Sequence, residues 1–171
     1  MPQWRRNMIS PGLNNLQYQL HGIQMALRVL RETGATLTEA RRLDVLDYGC
    51  GSGKVSRPLA LMFRRVVGYD PSEACIDTAR TECPPWPQCS LSNLCYISAL
   101  NTAEGFDVVC AVNVLEHMTE IGSLTALDQI KTQLKPCGMA ILWIDPVRNK
   151  GLAREFQVKT SAQQVVVWRK P

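Results

Sequence analysis

Asp47-Tyr48-Gly49-Cys50-Gly51-Ser52-Gly53 sets an acid ahead of three alternating glycines. The stretch joins a short apolar run, Leu43 to Leu46, to a helix-like segment, Val55 to Arg65. Glycines in this pattern let a loop turn sharply and let a ligand approach bare backbone. A helix start behind such a loop offers unpaired N–H groups to an anion. Asp47, at the end of the apolar run, can accept a hydrogen bond from an ammonium. An ordinary strand-to-helix turn needs none of these groups, whereas a zwitterionic amino-acid nucleoside would use all of them.

Two other glycine loops fit less well. A P-loop requires Lys followed by Ser or Thr, but Lys54 is followed by Val55, and Tyr48 stands where the first glycine belongs. The dinucleotide fingerprint G-x-G-x-x-G is not matched either, since this loop reads G-x-G-x-G. The next segment, Arg65-Val66-Val67-Gly68-Tyr69-Asp70, reads as a second strand ending in an acid. Its position is close to the spacing of about 20 residues at which an acid meets a ribose in nucleotide-binding α/β folds. Asp70 can accept from both ribose hydroxyls. It can equally cap a helix, with Pro71 as the first helical residue and Glu73 as the return partner. One carboxylate has lone pairs for both roles.

Further along come the apolar strand Phe106-Asp107-Val108-Val109-Cys110-Ala111-Val112-Asn113, the turn Val114-Leu115-Glu116-His117-Met118, a helix, and Leu134-Lys135-Pro136-Cys137-Gly138 leading into Met139-Ala140-Ile141-Leu142. With these pieces in order, the chain resembles the class I S-adenosylmethionine-dependent methyltransferases over residues 42 to 144. The resemblance implies S-adenosylmethionine as cofactor, held by Asp47, Gly49, Cys50, Gly51, Gly53, Asp70, Pro71, Ser98, Ala99 and Asn113. It leaves the methyl acceptor open. The family often places an acid after the third strand for the adenine amino group. Here that region is Ile97-Ser98-Ala99-Leu100-Asn101, so adenine falls to backbone atoms, Ser98 or Asn101.

Alternating elements position these groups. Leu16, Leu20, Ile23, Leu27 and Leu30 recur at helical spacing, which predicts an amphipathic helix over 14–32, stopped by Gly34. Strands are expected at 43–47, 66–69, 94–98, 107–112 and 139–144. Helices are expected at 55–64 and 71–81, with a further helix carrying Leu124, Leu127, Ile130 and Leu134. Such alternation implies an α/β, Rossmann-like, doubly wound and mostly parallel sheet, with its ligand at the carboxyl ends of the strands where the order reverses. Residues 1–171 are read as a single domain: an N-terminal segment and helix over 1–36, a cofactor-binding core over 42–144, and a shortened C-terminal hairpin over 145–171. Two strands, Phe156 to Thr160 and Gln164 to Trp168, would form that hairpin around Ser161-Ala162, with a reduced or absent helix before it.

A sulfonium methyl is already activated, so catalysis consists mainly of aligning the acceptor. A nitrogen with a free lone pair needs no base, while a phenol or ribose hydroxyl does. His117 is the candidate general base and Glu116 the second, unless both merely shape the first turn of the following helix. The L-E-H turn is close to that of ubiquinone-pathway O-methyltransferases, whose pattern carries an earlier Glu that can help hold magnesium. Asn113 occupies that position, so no metal is expected.

Composition and charge add the remaining expectations. The hydrophobic fraction of 46% suits a globular domain, and no apolar run is long enough to cross a membrane. No signal peptide opens the chain, and a cytoplasmic location is expected. Seven cysteines, an odd number with no C-x-x-C, suggest reduced thiols. Cys83, Cys89 and Cys95 are evenly spaced around a proline-rich loop, but do not match common zinc motifs. The net charge of +4 is concentrated at the C-terminus, in Arg148, Lys150, Arg154, Lys159, Arg169 and Lys170, with Arg5 and Arg6 at the other end. Arg148 and Lys150 beside the acceptor side, with Trp4, Trp143 and Trp168 to stack on bases, suggest an RNA acceptor, and cap guanine-N7 in mRNA processing as its plausible form. A solvated basic face and core tryptophans would account for the same residues. Small-molecule O- or N-methylation, or a non-catalytic cofactor-binding subunit that activates a partner protein, are the alternatives.

Overall fold

The computed structural model describes residues 13–81, 91–101, 105–158 and 164–171. Expectations for Trp4, Arg5, Arg6, Cys83, Cys89, the loop around Pro85, Lys159 and the Ser161-Ala162 turn lie outside these residues. Six strands form one sheet: β1 Asp44–Tyr48, β2 Arg65–Tyr69, β3 Leu94–Ile97, β4 Phe106–Ala111, β5 Leu134–Ile144 and β6 Gln164–Arg169. Their order is β3-β2-β1-β4-β5-β6, with every neighbouring pair parallel except β5 and β6. The order reverses between β1 and β4, which places a crevice at their carboxyl ends.

Strands covered on both faces need apolar side chains on both. β1 is buried throughout, and in β4 only Asp107 is not. One face packs Val45, Val108, Ile141 and Trp143 against α1 (Leu13–Thr33) and α3 (Ser56–Ala60). The other packs Leu46, Val109, Leu142 and Ile144 against Ala126, Leu127 and Ile130 of α5 (Glu120–Gln133) and Leu152 of α6 (Lys150–Glu155). Two further helices are α2 (Leu37–Ala40), opened by a reciprocal Thr36–Glu39 capping box, and α4 (Glu73–Thr81).

Several expectations are corrected. α1 forms where periodicity places it, but Leu16, Leu20 and Leu27 are 57%, 48% and 52% exposed, while Gly22, Ala26 and Val29 face inward. The small residues win this face because the helix lies tight on the glycine loop: a Cβ on Gly22 would stand 2.3 Å from the Lys54 carbonyl oxygen. α3 ends at Ala60, where a turn brings Met62 and Phe63 into the core. α4 starts at Glu73, so Pro71 precedes it; Asp70 Oδ1 accepts from the Ser72 N–H and Ser72 Oγ from that of Cys75. Leu134 belongs to β5, opposite Phe106, and not to α5.

The C-terminal hairpin is also rearranged. Residues Phe156 to Val158 form a turn rather than a strand, and β6 pairs antiparallel with β5, Ile141 opposite Val167. The helix before it is reduced, as expected, to the six residues of α6.

Candidate active site

The glycine loop leaves β1 with its first N–H groups fastened to β2: those of Gly49 and Cys50 both donate to the Tyr69 carbonyl, at 2.7 and 2.9 Å. The Gly51 N–H donates to Asp70 Oδ2 at 3.0 Å. Asp70 therefore braces the loop while its remaining lone pairs stay available to a ribose.

The three glycines do different work. A Cβ on Gly49 would stand 2.5 Å from a Val114 methyl group, so this glycine lets the segment after β4 close on the loop. A Cβ on Gly53 would stand 2.2 Å from the Tyr96 hydroxyl, and one on Gly68 2.6 Å from the Tyr96 ring. Gly53 and Gly68 thus make room for a tyrosine of β3, and sequence reasoning missed both the residue and the reason. Gly51 differs: its φ is +54°, and a Cβ there meets nothing within 4 Å. Its bare backbone faces open space at the switch point, where a ligand can rest on it.

Asp47 is buried beneath the loop. Ser56 Oγ donates to its Oδ2 at 2.6 Å, and Cys110 Sγ lies 3.8 Å from Oδ1. Burial pushes its carboxyl up to about 6 against these hydrogen bonds, and the nearby Asp70 charge adds to the rise. No cation among the described residues pairs with it. A buried carboxylate in this position suits a cationic ligand group. The buried thiols of Cys50 and Cys110 are raised by the same desolvation, which makes them packing residues rather than nucleophiles. Cys50, Cys75, Cys95, Cys110 and Cys137 are all free thiols.

On the facing side, Asn113 follows β4 with a φ of +54°, and Leu115–His117 form one 3₁₀ turn. His117 is largely exposed, with Nε2 3.8 Å from Glu116 Oε1. This turn is anchored by a residue the sequence reading passed over. Asn149, fully buried, donates from Nδ2 to the Leu115 carbonyl at 2.7 Å, and its Oδ1 accepts from the Asp145 N–H at 3.3 Å. Nothing in the sequence around Asn149 marks it, because its partner is 34 positions away. Asn149→Ala removes both side-chain bonds, leaving the Leu115 carbonyl only the Met118 N–H, and is expected to cost about 1–3 kcal/mol in denaturant unfolding. Among the described residues, no group of three His, Cys, Asp or Glu side chains is arranged to hold a metal ion.

The expected adenine contacts, Ser98 and Ala99, follow β3 at the same end of the sheet, and Asn101 is exposed two residues beyond. The acceptor residues fare differently. Trp143 is buried in the core beneath α1, with the Arg28 guanidinium 5.4 Å from its ring, so it has no face for an incoming base. Trp168 is half-buried beneath Lys131. Arg148 and Lys150 are exposed, but Arg148 lies 3.6 Å from Asp145, and Lys131 3.4 Å from Glu155. Lys170 donates to the carbonyls of Lys131 and Leu134. Two of the C-terminal basic residues, Arg148 and Lys170, are thus engaged within the fold. Among the described residues no helix is long and apolar enough to cross a membrane.

Comparison with known proteins agrees with this geometry. A family model described as "Methyltransferase domain" matches residues 18–165. The chain belongs to the class I S-adenosylmethionine-dependent methyltransferases. Ubiquinone biosynthesis O-methyltransferase of Bradyrhizobium sp. (strain ORS 278) is 30% identical over 117 residues, 68% of this chain and 46% of that protein. The protein of the same name from Nitrobacter winogradskyi is 33% identical over 98 residues, 57% and 36% of the two chains. The chain spans less than half the length of these relatives. Magnesium protoporphyrin IX methyltransferase from Synechocystis PCC 6803, solved with its cofactor bound, superposes with a TM-score of 0.71 at 16% identity, over 98% of this chain and 89% of that one. The N-methyltransferase NodS from Bradyrhizobium japonicum superposes at 0.63 and 18% identity, over 93% and 99%.

These relatives correct the expected acceptor. They are named for ubiquinone, porphyrin and N-methyl chemistry, and none of them for RNA. Of the residues that suggested RNA, Arg148 pairs with Asp145, Lys170 with backbone carbonyls, and Trp143 lies in the core. With relatives of this chemistry, the RNA substrate, RNA capping and mRNA processing are withdrawn.

Proposed function

We propose that this chain transfers the methyl group of S-adenosylmethionine to an oxygen or nitrogen of a small molecule. The observation that carries the reading is the crevice between β1 and β4. One wall is the bare Gly51 backbone, braced by Asp70 and underlain by Asp47. The other wall presents the exposed His117 beside Glu116.

In this reading Asp47 attracts the ammonium of the cofactor's amino-acid part and Asp70 the ribose hydroxyls. Gly49, Cys50, Gly51 and Gly53 shape the loop beneath, and Ser98, Ala99 and Asn113 bound the nucleoside. The bound cofactor supplies the activated methyl group. His117 takes the proton from an acceptor hydroxyl as oxygen attacks the methyl carbon, and Glu116 orients the imidazole. The names of the ubiquinone-pathway relatives favour an oxygen acceptor.

His117→Ala separates oxygen from nitrogen acceptors. With a catechol-type phenol, turnover is expected to fall by about 10²–10⁴-fold, the usual worth of a positioned base, with cofactor affinity unchanged. With a secondary amine, turnover should change little, since the lone pair is already free. Equal turnover of the phenol by both proteins would remove His117 from the chemistry.

A further inference from the structure

Lys54 follows the last glycine of the loop, where its stem is pressed against α1. A Cβ on Gly22 would lie 2.9 Å from the Lys54 Cγ, so helix and lysine fix one another. The ammonium sits over the Tyr18 ring, 4.7 Å from its centre. The Tyr18 hydroxyl in turn shares a hydrogen bond with Ser52 Oγ of the loop. Next to this group, His21 has a buried Nδ1 with no hydrogen-bond partner among the described residues, and burial together with the Lys54 charge holds its pKa below the ordinary value. A neutral imidazole there does not compete with the lysine for an anion.

Among the described residues Lys54 also lacks a counter-ion. Arg64, Lys131, Lys135 and Arg148 each have a carboxylate oxygen within 4 Å. No acidic side chain among the described residues pairs with Lys54, although the residue is partly desolvated, which pulls its pKa down. A half-buried ammonium without an anion is costly unless a ligand supplies one. The aromatic face beneath Lys54 stabilises a cation but does not neutralise it.

We infer that Lys54, with the Tyr18 and Ser52 hydroxyls beside it, forms a carboxylate-recognition corner of the active site. The inference rests on the methyltransferase reading above. The shared chemistry is a carboxylate, and two sources can supply it: the amino-acid part of the cofactor, or the acceptor itself. Asp70, itself an anion, cannot answer that charge, and the N–H groups of Gly49, Cys50, Gly51 and Gly53 already donate to the Tyr69 carbonyl, Asp70 and the Cys50 carbonyl.

The test compares wild type with Lys54→Met and Lys54→Arg by calorimetry. S-adenosylhomocysteine, 5′-methylthioadenosine (which lacks the amino-acid part), 3,4-dihydroxybenzoate and catechol serve as probes, the last two in the presence of S-adenosylhomocysteine. If the cofactor supplies the carboxylate, Lys54→Met weakens S-adenosylhomocysteine at least tenfold and leaves 5′-methylthioadenosine unchanged, and Lys54→Arg restores most of the loss. If the acceptor supplies it, S-adenosylhomocysteine is unchanged, and the preference for dihydroxybenzoate over catechol collapses in Lys54→Met alone. Either pattern supports the corner. Equal loss of S-adenosylhomocysteine and 5′-methylthioadenosine, or no change in either arm, overturns it. A wild-type chain that binds no S-adenosylhomocysteine instead overturns the methyltransferase reading, and this inference with it.

Discussion

Gly51→Val is expected to abolish cofactor binding, with a loss of at least 100-fold in affinity measured by calorimetry. Two effects combine at this one position. The backbone sits at a φ of +54°, which a β-branched residue adopts only with strain. The side chain would also project into the open space at Gly51, where the proposed reading puts the cofactor. Gly51→Ala isolates the second effect. Alanine tolerates this backbone at a cost of about 1–2 kcal/mol and clashes with no protein atom, so the variant should fold. It should nevertheless bind much more weakly than wild type. Wild-type affinity in Gly51→Ala would show that the ligand does not lie against this glycine.

Asp47→Asn should make the empty protein more stable while weakening the cofactor. The carboxyl is raised from its ordinary 3.8 to about 6, mainly by burial. A raised value means that the folded state prefers the protonated form. The associated stability is fully present below pH 3.8, falls away as pH rises to about 6, and stays lost above that. The rise corresponds to about 3 kcal/mol at 1.36 kcal/mol per pH unit. Asparagine keeps the shape and can still accept from Ser56, but carries no charge to desolvate. Denaturant unfolding at pH 7.5 should therefore favour the variant, and the difference should vanish at pH 3. Its affinity for S-adenosylhomocysteine should fall at least tenfold, because the ammonium loses its partner. A variant less stable than wild type at pH 7.5 would refute the electrostatic account of Asp47.

The parts of this site that the sequence made legible are local. Asp47, Gly51 and Asp70 act on their own loop or on the strand next in sequence, so residue type and spacing suffice to mark them. The L-E-H turn is visible for the same reason. What could not be read depends on contacts that only the folded sheet creates. Gly53 resembles a cofactor glycine in the motif, yet its lack of a side chain is demanded by Tyr96 of β3. Asn149, just beyond β5, secures the Leu115–His117 turn. On α1, Leu16, Leu20 and Leu27 have the right period but the wrong face, because Gly22 and Ala26 permit a closer approach than leucine does. The basic residues near the C-terminus look like a platform in one dimension. In three dimensions Arg148 and Lys170 find partners within the fold.

The candidate site groups converge at one place for a topological reason. β1 and β4 are neighbours in the sheet but are separated in sequence by two strands, β2 and β3, so their carboxyl ends open on either side of a single crevice. The glycine loop lies on one lip and the L-E-H turn on the other. Val114, packed where a Gly49 side chain would be, holds the two lips together.

The central claim is most directly tested by titrating the purified chain with S-adenosylhomocysteine in a calorimeter, with NAD as the control ligand. The account predicts one saturable site for S-adenosylhomocysteine, abolished in Gly51→Val, and no heat from NAD. Binding of NAD with none of S-adenosylhomocysteine would contradict it.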